Sequence, residues 1–155
     1  MSVNDVLDNH LILWNNYIEQ NIRLESQSDL YSYCVSNTDS ILNILSRFDP
    51  NYRLSLDIRP GWIPLILSLH YKILSLVDDY LIYQIKEKFG TLRYYAEPRI
   101  PNGYSPENKH HILTIFNHLI QSAENDSAQI CELCSRPGTL FSENSWYKTR
   151  CNDCS

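Results

Sequence analysis

The feature that most constrains this chain is a pair of Cys-x-x-Cys steps near its end, Cys131 with Cys134 and Cys151 with Cys154, separated by sixteen residues. Two residues between cysteines let a tight knuckle turn both sulfurs toward one point. Two facing knuckles complete a tetrahedron of thiolates. The spacing C-x2-C-x16-C-x2-C lies within the window of four-cysteine zinc sites. Pro137 and Gly138 supply a turn between the pairs, and 139–141 can join 146–149 across 142–145 in a small hairpin, as in a zinc ribbon. The expected cofactor is one structural Zn2+ held by Cys131, Cys134, Cys151 and Cys154, with redox dithiols or disulfides as the alternative. Four protein thiolates leave no coordination position for water, so such an ion stabilises the fold and does no chemistry.

With 155 residues, 43% of them hydrophobic, the chain can bury a core without disulfides. Its expected organisation is an α+β body over 1–128, with a hairpin at 81–95, followed by the four-cysteine module at 129–155. The net charge of -5 is uneven: residues 1–80 carry ten acids and five bases, residues 81–155 eight of each. An acidic protein is repelled by phosphate backbones, which argues against non-specific nucleic-acid binding. The N-terminus has no basic and apolar leader, and the most apolar stretch, 62–77, is interrupted by Pro64, His70 and Lys72. The expectation is a cytoplasmic protein without a membrane span, where paired cysteines read as metal ligands.

Leu7, Leu11, Trp14, Ile18 and Ile22 recur on one stripe and predict an amphipathic helix over 3–24. Residues 26–37 show no clean period. A second helix is expected after Thr38 as N-cap, with Ile41, Leu42, Leu45 and Phe48 inward, stopped at Asp49-Pro50-Asn51. Loose alternation over 52–60 suggests a short strand. Trp62, Leu65, Ile66, Leu69, Ile73 and Leu76 predict a core helix over 62–77. The hairpin should turn at 87–90; pairing Lys86 with Thr91 would set Ile85 against Leu92 and Tyr83 against Tyr94 on the inner side, with Gln84, Lys86 and Arg93 outside. Ser105, Pro106 and Glu107 open a last helix carrying Ile112, Ile115, Phe116, Leu119, Ile120 and Ala123.

Lys86, Lys88, Arg93 and Arg99 are interleaved with Tyr83, Phe89, Tyr94 and Tyr95, a mixture that can grip a single-stranded nucleic acid. The plainer reading is a solvated or protein-binding face, since Glu87 and Glu97 offset two of the bases. Gln84, Lys86, Lys88, Arg93 and Tyr95 form the candidate binding face. His111 and His118 are about 10.5 Å apart along a helix, too far to share an ion. His70 falls beside a core stripe and reads as a hydrogen-bonded interior group, Cys34 as a buried inert thiol. With only four glycines the chain assembles neither a phosphate-cradling loop nor a nucleophile elbow. No catalytic residue is assigned.

Gly61-Trp62, the run from Gln84 to Tyr95, Cys131 to Cys134 with Pro137-Gly138, and Trp146, Thr149, Cys151 and Cys154 together resemble a largely uncharacterised family of short bacterial and phage proteins. That family carries a Gly-Trp helix start, a K-E-K-F-G-[GT]-L-R-[FY]-Y hairpin and a C-terminal pair of zinc knuckles. The resemblance covers about residues 60–154 and leaves the first 60 unmatched. It implies a bacterial or prophage accessory protein and zinc binding, and it carries over no catalytic residues. Ser135 stands where the family has glycine after the second cysteine.

The function expected from these features is a protein-binding module of inhibitor, immunity or adaptor type. A nucleic-acid-binding zinc protein using the hairpin at 83–99 with Arg136, Lys148 and Arg150 is the alternative. An enzyme using Lys86, Glu87 or a histidine is a third reading.

Overall fold

The computed structural model describes residues 2–155. The fold is α+β: a helical N-terminal part, a central three-stranded sheet and a C-terminal cysteine module. The first helix, α1, spans Val3–Asn21 and starts with a capping box in which Ser2 Oγ accepts from Asp5 N and Asp5 Oδ2 accepts from Ser2 N. It stops at Asn21 rather than at 24, because Ile22 is extended. Apart from the buried His10, its packing falls in the second half. Trp14, Ile18 and Ile22 are buried, whereas Leu7 and Leu11 remain 44% and 37% exposed, contrary to the stripe that placed them in the core. The aperiodic stretch contains a second helix, α2 (Ser28–Ser36), that buries Leu30 and Cys34.

Helix α3 (Thr38–Leu45) begins one residue earlier than its sequence signal, with Asn37 at the N-cap; the Thr38 hydroxyl donates back to Val35 O of α2. Phe48 is buried beyond this helix, where it bridges to Ile82. The 52–60 alternation yields only a two-residue strand, β1 (Leu56–Asp57), parallel to the next strand. A 3-10 turn at Pro60–Trp62 then leads into α4 (Ile63–Leu76), whose Ile63, Ile66, Leu67, Leu69 and Ile73 are buried at the centre of the core.

Strands β2 (Tyr80–Lys88) and β3 (Thr91–Pro98) are longer than the expected 81–95 hairpin, and their register differs by two residues. Lys88 pairs with Thr91, Lys86 with Arg93 and Ile85 with Tyr94, so the loop is only Phe89-Gly90. Both loop residues have positive φ, 54° and 81°, as the two-residue turn that matches strand twist requires. A bulge between Ile82 and Gln84 removes Tyr83 from the inner side and puts Ile82 there. Tyr83 instead packs at a tilt against Tyr52 and donates its hydroxyl to Glu97.

The last helix, α5 (Pro106–Ser127), is capped by Ser105 as its sequence indicates and lies along the edge of β3. Ser127 Oγ accepts from Leu92 N at 2.8 Å and Glu124 Oε2 from Tyr94 N at 2.9 Å, so helix side chains satisfy edge donors that would otherwise invite another strand. The chain ends in the hairpin β4 (Thr139–Glu143) and β5 (Trp146–Arg150), turning at Asn144-Ser145, both also at positive φ. No helix among the described residues is long and apolar enough to cross a membrane.

Candidate metal centre and its junction with the body

The first knuckle follows α5 directly. Cys131 N donates to Arg136 O at 2.7 Å and Ser135 N to Cys131 O at 3.0 Å, which curls the chain around the first two sulfurs. Ser135 sits at φ 73°, the conformation that glycine adopts at least cost, so the serine is tolerated with local strain. The second knuckle follows β5, closed by Cys154 N to Cys151 O. A backbone bond from Glu132 N to Thr149 O and an ion pair of 3.1 Å between Arg150 and the buried Glu132 hold the knuckles face to face.

The structure brings all four expected ligands together. Their sulfurs lie within 4.8 Å of one another, with Cys134 and Cys151 at 3.6 Å. A tetrahedron with metal–sulfur bonds of about 2.3 Å has edges of about 3.8 Å, whereas a disulfide needs about 2.05 Å. The spacing therefore fits a shared metal ion, and all five cysteines are free thiols. The donor set is also short of cationic charge. Burial, then the crowding of neighbouring sulfurs, pushes the Cys154 thiol well above its usual range. Burial opposes ionisation of Cys151 too, but hydrogen bonds from Cys134 and Cys154 bring it down to about 7. A divalent cation is the group that would let all four thiolates exist together.

The module is joined to the body at three places. Gly61 N donates to Glu132 O at 2.7 Å, and Trp62, fully buried, donates its indole N–H to Ile130 O at 3.0 Å. Gly61 is required by space. A Cβ there would meet Glu132 C at 2.5 Å and Glu132 O at 2.6 Å, with Cys131 O closer still. The Gly-Trp pair is thus the seat of the first knuckle as well as a helix start. Gln27 Nε2 donates to Leu133 O at 2.9 Å. On the other side, the buried Thr149 hydroxyl donates to Gly90 O at 2.7 Å, joining β5 to the turn of the central hairpin.

That last contact gathers exposed aromatic side chains from two hairpin tips. Phe89 is 62% exposed, and its ring meets Tyr147 edge to face with centroids 6.0 Å apart. Trp146, 72% exposed, immediately precedes Tyr147 on the same strand, and Leu140 is exposed on β4. A bulky residue at φ 54° is a backbone outlier costing about 1–2 kcal/mol. Sequence reasoning noted Phe89 only as a companion of the bases and gave Trp146 and Tyr147 a strand role. The available signal was an aromatic residue directly before glycine in so short a turn.

The candidate face on β2 and β3 is arranged differently. Lys86 lies opposite Arg93, and Gln84 opposite Tyr95. Lys86 Nζ stands over the Tyr95 ring at 5.8 Å, Lys88 Nζ over Phe89 at 5.4 Å, and Arg93 Nη1 donates to Thr91 Oγ1 and Leu92 O of its own strand. Asp57 of β1 continues the Lys86–Arg93 row with the opposite charge.

His70, 1% exposed, bonds Tyr80 Oη at 2.7 Å, and Tyr80 bonds Tyr94 at 2.8 Å. Burial, assisted by the Arg47 charge, holds its imidazole down at about 4, so it is a neutral interior group. His110, His111 and His118 are exposed on α5. Cys34 is fully buried, and burial pushes its thiol up to about 12. No family model, curated protein or solved structure matches this chain.

Proposed function

We propose that the protein is a zinc-stabilised module that binds another protein, of the inhibitor, immunity or adaptor kind found in bacteria and their phages, working in the reducing cytoplasm. Four soft, tetrahedrally disposed thiolates suit Zn2+ best among common divalent ions. An ion so enclosed supplies structural cross-linking and no open position for chemistry. Its part is to fix the knuckles so that Glu132, Ile130 and Thr149 meet Gly61, Trp62 and Gly90.

The observation that carries the reading is the aromatic ledge of Phe89, Tyr147 and Trp146, built from two hairpins and held together by the Thr149–Gly90 bond. Aromatic side chains left in water at a rigid site are the usual anchors of protein interfaces. The nucleic-acid alternative has less support, because Arg136 and Arg150 face the carboxylates of Asp153 and Glu132, and Arg93 is bonded to its own strand.

The test is co-purification from a native lysate, comparing the wild type with a Phe89→Ala, Trp146→Ala variant by quantitative mass spectrometry. A stoichiometric protein recovered with the first and lost with the second is expected. Recovery of no such protein, or equal recovery with both, overturns the reading.

A further inference from the structure

We propose that the free edge of β4 pairs with the same edge of a second copy of this chain. The two strands run antiparallel about a two-fold axis at Phe141, and the dimer carries one sheet in the order β5-β4-β4-β5. This surface lies beside the aromatic ledge and is distinct from it.

The direction of each backbone group in β4 follows from its pairing with β5. Leu140 lies opposite Thr149, and Thr149 O is taken from the far side of β5 by Glu132 N at 2.9 Å. Two opposed residues of an antiparallel pair either exchange both bonds or turn both sets of groups outward. Leu140 therefore points its N–H and C=O away from β5, and so does Ser142, two residues further on. Thr139, Phe141 and Glu143 bond β5 instead. The sheet has two strands, and among the described residues nothing bonds the outward groups of Leu140 and Ser142.

The fold covers its other strand edges. Ser127 and Glu124 of α5 take the outward amides of Leu92 and Tyr94 on β3, and Glu132 takes Thr149 O on β5. On β4 the devices that blunt an edge are missing. No proline, lysine or bulge interrupts Thr139–Glu143, and its register with β5 is unbroken. Two N–H and two C=O groups in a row, on a strand carrying Leu140 and Phe141, make a template for a further strand.

The bounds of this edge select the occupant and its register. Toward the first knuckle it ends at Gly138, whose N–H already donates to Gln129 O at 2.9 Å. Toward the tip it ends at Asn144, which turns to φ 50°. The free stretch is the five residues of β4, centred on Phe141, so it matches itself. Leu140 of one copy against Ser142 of the other, and the reverse, joins every outward group in four hydrogen bonds. A slide of two residues brings Ser142 against Gly138, whose N–H is taken, or Leu140 against Asn144, which leaves the strand. In the centred register Glu143, the one charged residue of β4, faces Thr139, so no like charges oppose. Phe141 meets Phe141 at a non-hydrogen-bonded position, where side chains come closest. A foreign strand would need its own match to so short an edge, and a second copy has that match built in. One strand pair buries a small area, under about 1,200 Å², so the dimer is reversible and concentration-dependent.

Sedimentation velocity of the full-length metal-loaded protein over a concentration series reads the pairing. Wild type is expected to move from monomer toward dimer as concentration rises. Ser142→Pro removes an outward N–H that the hairpin does not use, and Phe141→Lys sets like charges together at the two-fold axis. Each should weaken dimerisation about tenfold or more, with circular dichroism and metal content unchanged. Phe141→Lys and Phe141→Glu, each monomeric alone, should associate when mixed, because only a strand that faces itself brings position 141 against position 141. A wild type that stays monomeric throughout the series overturns the proposal. So does a dimer that ignores both substitutions, or a failure of the two Phe141 variants to associate on mixing. Loss of a co-purifying protein with Ser142→Pro, in the absence of self-association, would assign the edge to that partner's strand; the second-copy proposal would then fall and the protein-binding reading would stand.

Discussion

Replacing Gly61 by alanine tests whether the cysteine module and the body are one mechanical unit. The glycine is not in the left-handed region, so the change imposes no φ strain, and its cost comes from space and from one hydrogen bond. The added methyl would stand 2.5–2.6 Å from the Glu132 carbonyl group, well inside ordinary contact, so the knuckle must retreat. Overpacking of this kind costs about 1–3 kcal/mol. The retreat also breaks the 2.7 Å bond from Gly61 N to Glu132 O, and a buried amide left unpaired costs about 1–3 kcal/mol. Alanine's smaller unfolded-state entropy returns about 0.4–1 kcal/mol. The net loss is about 3 kcal/mol. At about 2.1 cal/mol/K of unfolding entropy per residue, a 155-residue chain would lose about 9 °C in Tm. Thermal unfolding followed by circular dichroism gives the first number. Metal transfer to a chromogenic chelator gives a second readout, expected to run several-fold faster in the variant. A Tm within 2 °C of wild type together with an unchanged transfer rate would refute the idea that Gly61 seats the knuckle.

Three further outcomes are expected. Replacing Cys151 by serine should abolish stoichiometric metal binding and change the near-ultraviolet circular dichroism of buried Trp62, because its bond to Ile130 O depends on a closed knuckle; an unaltered Trp62 signal would show the body indifferent to the metal. His70 is held at about 4 in the folded protein against about 6.5 unfolded, so its contribution is complete above pH 6.5 and is lost as pH falls toward 4. That amounts to about 3 kcal/mol over the window, and His70→Gln should show a flatter dependence of urea midpoints between pH 7 and 4.5; parallel curves would count against it. Phe89→Asn relieves about 1–2 kcal/mol of turn strain and gives up about 0.5–1.5 kcal/mol of contact with Tyr147, so Tm should move by no more than about 5 °C while partner binding is lost.

Much of the fold was legible because local chemistry and tertiary packing agree. Ser105-Pro106 starts α5 where a cap and a missing N–H belong, and α4 carries an apolar face that the core accepts almost whole. Local reasoning failed where two local choices were close in energy. Ser28–Ser36 has little amphipathic character, and it becomes helical where packing buries Leu30 and Cys34. The stripe in α1 is regular through Leu7 and Leu11, yet periodicity states only that these residues share a face, not that a neighbour covers it. The hairpin register slipped by two because both pairings keep Ile85 inward; the two-residue left-handed turn and the Tyr83 bulge decided between them.

By itself the sequence determined the α+β class and the four cysteines that converge, since a two-residue step between thiols has few ways to aim both sulfurs and two such steps close a tetrahedron. Only the tertiary structure decided what those knuckles press against. Gly61, Trp62 and Gly90 lie 70, 69 and 41 positions before Cys131, and no local signal reports that a backbone must pass without a Cβ. The aromatic ledge follows from the same docking, because Phe89 and Tyr147 become neighbours only once the module is seated.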